Sequence, residues 1–405
     1  MTMTLSRRSF SAALVAAGLA PRSLFAQDKP RKILLRSSWQ TVNIGDIAHT
    51  PGMLALLEKQ IPTAEVTLWP NQLSPEVEKI LTTRFPKIKI AKTADEQAKA
   101  LADCDFFLHG SGPGLVGTKE AQRAKEAGKP YGFAGITLND DEIKTRRELL
   151  AGAKFVFTRD TLSLAALKDS GITGPRMEFG PDATFALDLR DEAAADKLLA
   201  EHKLEKGEFL CVVPRLRWTP YWEIHPERKV IPERVAVNKE FAEKDHAKLR
   251  EGIIAWVRER KSRVLLTPEM TYAVPLLKTL LFDPLPDDVK PQVAVMDRYW
   301  LTAEAASVYA RAAAVLSMEM HSPIMAISAG TPAILVRQPT DTRKGQMWRD
   351  IGLEPWIFEV DDCTGAQVAA RTLEIGRDLP AARKTAAKAR ELAREKMTAM
   401  IAAIP

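Results

Sequence analysis

Three cysteines and six histidines in 405 residues leave little material for a metal-rich or disulfide-built protein. Cys104, Cys211 and Cys363 are odd in number and lie more than 100 residues apart, whereas a disulfide framework needs close, paired cysteines. Cys104 and Cys211 sit at or beside strand-like runs and read as small buried hydrophobes. Charge of one sign is also scarce. Lys and Arg total 58 against 52 Asp and Glu, an excess of six, and Arg7, Arg8 and Arg22 supply three of it from an acid-free N-terminal stretch. The remaining +3 is spread without basic blocks, which argues against a nucleic-acid partner. No apolar run reaches the about 20 residues of a spanning helix, and no short-period repeat recurs. What is present is ordinary globular material, 46% apolar and 27% charged, at a length that predicts two to three domains and a sizeable core.

Residues 6–26 read SRRSFSAALVAAGLAPRSLFA. Arg7 and Arg8 precede Phe10, Ala12 to Ala20 form a short apolar region, and the small Ala26 precedes Gln27. This is the layout of a twin-arginine signal peptide over 1–26. It implies the Tat export machinery as a partner, a periplasmic or secreted mature chain, and no stable membrane span once the signal is removed.

From Lys32 onward, short apolar runs alternate with longer periodic ones. Strands are predicted at Lys32–Leu35, Val66–Trp69, Ile88–Ile90, Phe106–Leu108, Tyr131–Ala134 and Phe155–Phe157. After a linker near Asp188–Gly207 they resume at Phe209–Pro214, Val264–Thr267, Val293–Met296, Ala314–Ser317 and Ala333–Val336. Helical periodicity fits between them, including one run over Thr271–Leu281, which indicates βαβ units and parallel sheets. The predicted fold is α/β: two doubly wound Rossmann-like domains over 32–190 and 207–376 facing a cleft, then a long surface helix over 380–403.

Parallel sheets bind ligands beyond the carboxyl ends of their strands, so the strand-to-helix turns are the candidate sites. Asn43-Ile44-Gly45-Asp46 opens a helix where free N–H groups attract anions; Gly45 permits close approach, and Asp46 caps the helix or holds a substrate hydroxyl. His109-Gly110-Ser111-Gly112-Pro113-Gly114 is a second glycine-rich turn, in which His109 either donates to a ligand or completes the turn. Arg159, at the end of another strand, suits a phosphate or carboxylate, or else a salt bridge to Asp160 or Asp182. Asp182 can orient a hydroxyl or that arginine. His321 starts a helix after strand Ala314–Ser317, where the dipole favours a neutral imidazole ready for proton transfer. Lys344 offers a second cation to the same cleft.

In this order the segments resemble the polysaccharide pyruvyl transferase family. Asn43-Ile44-Gly45-Asp46 resembles its N-x-G-D turn, Leu108 to Gly114 its hydrophobic-plus-glycine segment, and Thr158 to Ser163 with Leu167 to Gly171 its R-D-x-x-S and L-x-x-x-G segments. Pro181 to Phe185 matches D-x-x-F, and 320–334 corresponds to H-x-x-x-x-A-x-x-x-G-x-P, with Lys344 as the downstream lysine. The resemblance implies a glycosyltransferase-B-like fold and transfer of the enolpyruvyl unit of phosphoenolpyruvate, the expected donor substrate, onto paired hydroxyls of a polysaccharide as a ketal, with no cofactor and no metal. It implies His321 as the acid that protonates the methylene carbon and Asp46 as an acceptor-side base. Arg159 and Lys344 would hold the donor's phosphate and carboxylate; Asn43, Gly45, Gly110, Gly112 and Asp182 would line the substrate site. One position departs. The family carries Arg two residues before the histidine, and Glu319 stands there, an acid beside a trianionic donor. Arg215 and Arg217 are the cations available to compensate, with Arg217 the candidate ligand. The aromatic stretch Trp218–Arg234 that follows either stacks on sugar rings or packs over the surface. The alternatives are an exported glycan-binding protein without turnover and a glycosyltransferase using another donor.

Overall fold

Strands covered by helices on both faces are unbroken apolar runs rather than alternating ones, and KILLRS, FFLH, FVFT, LCVV and AVLS all have that character. The computed structural model describes residues 29–405, so the signal expected over 1–26 lies outside the described residues. Seven parallel strands form the first sheet: β1 (Lys32–Ser37), β2 (Glu65–Pro70), β3 (Lys89–Ile90), β4 (Phe106–His109), β5 (Tyr131–Ile136), β6 (Phe155–Thr158) and β7 (Arg176–Phe179). Their order is β3-β2-β1-β4-β5-β6-β7. A second parallel sheet contains β8 (Leu210–Val213), β9 (Val264–Leu266), β10 (Val293–Val295), β11 (Ala314–Ser317), β12 (Ala333–Arg337) and β13 (Ile357–Glu359), in the order β10-β9-β8-β11-β12-β13. In each sheet the order reverses beside the first strand, at β1/β4 and at β8/β11. Turns there splay apart and leave a crevice at the carboxyl ends.

Four features depart from expectation. Strands β7 and β13 are edge strands whose sequences, RMEF and IFE, carry too little apolar signal to be read. The linker near 188–207 contains a helix, Glu192–Glu201, capped by Asp191 through the Ala194 amide and burying Ala195, Leu198 and Leu199. The helix expected on the surface at the C-terminus, observed as Leu379–Ala402, is instead a strap. Ala382, Ala386, Ala389, Ala393, Met397 and Met400 line one buried stripe, and the helix packs back on Ile44–Gln60 and on the 3-10 turn Ala183–Ala186 of the first half. Thr271–Leu281, expected as one helix, is broken into 3-10, α and π turns around Pro275.

The halves are also joined directly. Asn43 and Met270 form an isolated antiparallel bridge, Ile44 N donates to Glu269 O at 3.1 Å, and Thr302 Oγ1 donates to Ile44 O at 2.6 Å. One apolar cluster runs from Ile33 and Leu35 through Phe185 to Leu210, Leu316 and Met397 without a break between the sheets. Two carboxyl-end crevices are thereby held in fixed register. Among the described residues no helix is long and apolar enough to cross a membrane, and all three cysteines are buried and unpaired.

Candidate active site

Six turns deliver the central residues, from the carboxyl ends of β1, β4, β6 and β7 in one half and of β9 and β11 in the other. Asp182, following β7, is fully buried and is the hub. Its Oδ2 accepts from Arg159 Nη1 at 2.6 Å, its Oδ1 accepts from the Thr184 amide at 2.9 Å, and His49 Nδ1 lies 3.0 Å from the same oxygen. Burial opposes the Asp182 charge, but His49, Arg159 and His321 outweigh it and hold the carboxyl well below the usual range. Arg159 continues β6, with Nε donating to Thr137 Oγ1 at 2.8 Å; Nη2 has no hydrogen-bond partner among the described residues.

His321 enters from the second half. Its Nε2 stands 3.9 Å from Asp182 Oδ2 and makes no hydrogen bond, while Nδ1 lies 3.1 Å from Glu269 Oε1. The other oxygen of Glu269 accepts from the Ser322 amide and hydroxyl, both at 2.7 Å. Glu269 is therefore an N-cap supplied from a different turn, and the same carboxylate sets the imidazole: Nδ1–H donates to it and Nε2 faces Asp182. The dipole's preference for a neutral imidazole is opposed by its surroundings. Burial and the dipole disfavour the cation, yet the hydrogen bond and charge of Glu269, with Asp182 behind, raise the His321 pKa above its ordinary value. Glu269 is correspondingly lowered despite its burial, because His321 and Ser322 favour its anion.

Gly45 explains how the histidine fits. A Cβ there would sit 2.0 Å from His321 Cγ, so only glycine lets the imidazole lie against the first turn of Ile44–Gln60. One turn further on, the His49 ring meets His321 edge-on at 5.1 Å between centroids. Ser111 Oγ is 2.6 Å from His49 Nδ1 and accepts from the Ala183 amide at 3.1 Å.

A second charged cluster adjoins His321. Glu319 Oε2 lies 3.6 Å from Arg215 Nε, Arg215 also binds Asp341, and Lys344 Nζ is 3.6 Å from Asp341 Oδ1. Glu319 Oε1 is buried without a partner. Burial pushes this carboxyl up to about 7, with Glu269 and Asp341 adding to the rise and Arg215 and Lys344 opposing it. Arg215 thus brings a cation to the position where the departure occurs, but Glu319 and Asp341 balance it.

Of the expected residues, the fold gathers Gly45, Arg159, Asp182 and His321 at one point, with Lys344 on the flank. Asn43 caps its helix through Gly45 N at 2.7 Å. Asp46 is bound by Gln40, whose Nε2 also reaches Tyr221 OH at 3.4 Å. Gly110 and Gly112 make room for Ser37 and for the Trp39 ring. Arg217 is not in the centre: it forks onto Asp245 at 2.8 and 3.0 Å, binds Asp361 and stacks 3.6 Å over Phe241. Its three partners already satisfy the guanidinium. His109 completes its turn, with Nδ1 to Gly110 O at 2.8 Å and Nε2 accepting from Gly117 N at 3.0 Å; burial lowers its pKa to about 4. The aromatic stretch packs on itself, Arg234 over Trp218 and Arg228 over Tyr221.

His49, Ser111 and Glu269 were missed as site residues. His49 follows Gly45 by one helical turn, hence on the same face, and Glu269 lies in a strand-to-helix turn like the others. The sequence shows no ligand cluster, but the fold assembles one: His49, Asp182 and His321 each present a ligand atom within 4.8 Å of one another. Both Asp182 oxygens are already committed, one to a guanidinium, so a divalent ion would crowd a second cation onto Arg159. The donor set fits a proton-handling network better than a metal.

Two doubly wound sheets whose carboxyl-end turns face one another define a glycosyltransferase-B-like fold, and solved structures similar to the chain agree. S. aureus MnaA bound to UDP superposes with a TM-score of 0.58 at 10% identity over 88% of this chain and 90% of that one. The UDP-GlcNAc 2-epimerase from Methanocaldococcus jannaschii gives 0.56 at 15% identity over 85% and 92%, and Anabaena Alr3699/HepE with UDP gives 0.55 at 11% over 92% and 97%. Comparison with the curated proteins gives no match. The family model described as polysaccharide pyruvyl transferase matches residues 43–338, and the chain belongs to that family. Asp46, His49, Arg159, Asp182, Glu269 and His321 fall inside the match; Lys344 lies just beyond it.

Proposed function

We propose that this transferase moves the pyruvyl unit of phosphoenolpyruvate onto two hydroxyls of a glycan, with His321 as the acid. The reading is carried by one observation: an imidazole of the second half and a guanidinium of the first converge on the single carboxylate of Asp182. In the proposed step the Nε2 proton of His321 passes to the methylene carbon of the donor. The neighbouring carbon becomes oxocarbenium-like and is attacked by a sugar oxygen, the phosphate ester bond breaks, and a second hydroxyl closes the ketal, the two hydroxyl protons leaving to the base and the phosphate. Arg159 Nη2 and Lys344 are the groups available to the donor's anionic ends, and Asp46 is the acceptor-side base. The raised pKa of His321 suits this role, because it keeps the proton on the imidazole to higher pH than an ordinary histidine would. The test is phosphate release from phosphoenolpyruvate with galactose- or mannose-type acceptors: release that disappears in His321→Ala supports the reading, and tight sugar binding without release refutes it.

Glu319 favours a second reading, a donor less anionic than phosphoenolpyruvate, such as a sugar nucleotide. Protection against heating by a sugar nucleotide and none by phosphoenolpyruvate would select it. We further propose that the protein works outside the cytoplasm after twin-arginine export; replacing Arg7 and Arg8 by lysine should leave unprocessed chain in the cytoplasm, and unchanged export would refute the signal.

A further inference from the structure

Positive charge is not spread evenly over the surface cavities. The cavity lined by Lys79, Arg84, Arg190 and Arg298 holds as many acids, Glu76, Asp188, Asp191 and Glu304, and the one around Lys32, Lys89 and Lys99 is matched by Glu65, Glu96 and Asp103. A third cavity, of about 1060 Å³, has six cations, from Arg36 to Arg147, against Glu120 and Glu148. Glu120 lies 3.5 Å from Arg36, and Glu148 points to solvent, 3.9 Å from Lys125. Among the described residues, Lys119, Arg123, Lys144 and Arg146 have no ion pair at all. Four uncompensated cations around one concavity focus a positive potential inside it.

The cavity is linked to the catalytic centre by a relay of buried side chains. Arg36 Cζ lies 5.8 Å over the Trp39 ring, Trp39 Nε1 donates to Ser111 O at 2.6 Å, and Ser111 Oγ meets His49 at 2.6 Å. All its lining residues belong to the first half: Arg36 and Asn71 at the carboxyl ends of β1 and β2, Val116 to Arg123 on the turn and helix after β4, and Lys144 to Leu149 on the two short helices after β5. Its volume is at the top of the about 300–1,000 Å³ typical of small-ligand pockets, so it admits more than one sugar ring. The lining also discriminates among anions. Single-stranded nucleic acids bind by stacking bases on aromatic faces as well as by charge. The nearest aromatic, Trp69, is buried and already covered by Arg36 and Arg123 at 6.0 and 5.1 Å, and the one exposed apolar residue in the wall is Val116.

We infer that this cavity binds a segment of an acidic glycan, one whose sugars carry carboxylates, and that the acceptor of the proposed reaction is an anionic polysaccharide held there beside the catalytic centre. The inference rests on the transfer reaction for its meaning but not for its test. Binding of a short oligogalacturonate to the full chain, without phosphoenolpyruvate, is measured by titration calorimetry beside a neutral dextran of equal length and a single-stranded oligonucleotide of equal charge. The oligogalacturonate should bind, weaken as salt rises, and lose about tenfold in affinity in the triple variant Lys119→Gln, Lys144→Gln, Arg146→Gln, as expected for three exposed charge contacts. The control Lys384→Gln, Lys388→Gln on the C-terminal helix should bind as the parent does, and His321→Ala should too. Equal binding of the dextran, tighter binding of the oligonucleotide, or an affinity the triple variant leaves unchanged while it unfolds like the parent would overturn the inference. Oligogalacturonate binding without phosphate release leaves the cavity assignment standing and removes the reaction; release with a neutral acceptor that the triple variant does not slow does the reverse.

Discussion

Replacing Glu269 by glutamine removes one buried charge while keeping an oxygen to cap the helix at Ser322, and so isolates what the carboxylate does to His321. A charge-assisted hydrogen bond at 3.1 Å is worth about 1.5–3 kcal/mol, which is roughly ten- to a hundredfold in the affinity of the imidazole for its proton. In Glu269→Gln the larger influence that raises the pKa is gone while Asp182 and burial remain, so His321 should titrate lower than in the parent. The sign of the stability effect follows by linkage. In the parent, the raised pKa contributes stability that is complete below the unfolded imidazole's value, about 6.5, and is lost as pH rises through the folded value. In the variant this alkaline loss should be smaller, because the folded pKa lies closer to the unfolded one. Nitrogen NMR of labelled histidine reads both pKa and tautomer, and urea unfolding across pH reads stability. An unchanged His321 titration in the variant, or a proton residing on Nε2 rather than Nδ1 in the neutral parent, would refute the account of how this acid is built.

Three other outcomes are expected. Gly45→Ala places a carbon 2.0 Å from the imidazole, at an overpacking cost of about 1–3 kcal/mol, and an ångström of displacement of His321 should slow phosphate release about a hundredfold; a variant as stable and as active as the parent contradicts the packing described. Asp182→Asn leaves Arg159 and His49 facing no buried anion and should lower unfolding stability by about 3–5 kcal/mol in urea, and a change within 0.5 kcal/mol would show that the hub is dispensable. Glu319, with its pKa near 7, is neutral below that pH and anionic above it, so the affinity for an anionic donor should fall as pH rises through 7 and this dependence should flatten in Glu319→Gln; a pH profile unmoved by the substitution removes Glu319 from the donor site.

What could be read from the chain itself was local. Unbroken apolar runs followed by amphipathic ones announced parallel strands and helices, because burial on both faces leaves no other pattern, and turns such as Asn43-Ile44-Gly45-Asp46 marked the ends where a site would lie. Polar edge strands such as Arg176–Phe179 escaped notice, since they face neighbours on one side only. Partnership was settled by tertiary structure alone. Glu269 and His321 are 52 residues apart, and Arg159, His49 and His321 share Asp182 because the strand order in each sheet reverses beside its first strand and the strap helix holds the two crevices together. The same packing turned Arg217 away into its own ion pairs and raised the pKa of His321 where the helix dipole alone would lower it. A side chain's pKa and partners depend on what lies within a few ångströms in space, and one-dimensional spacing does not carry that information.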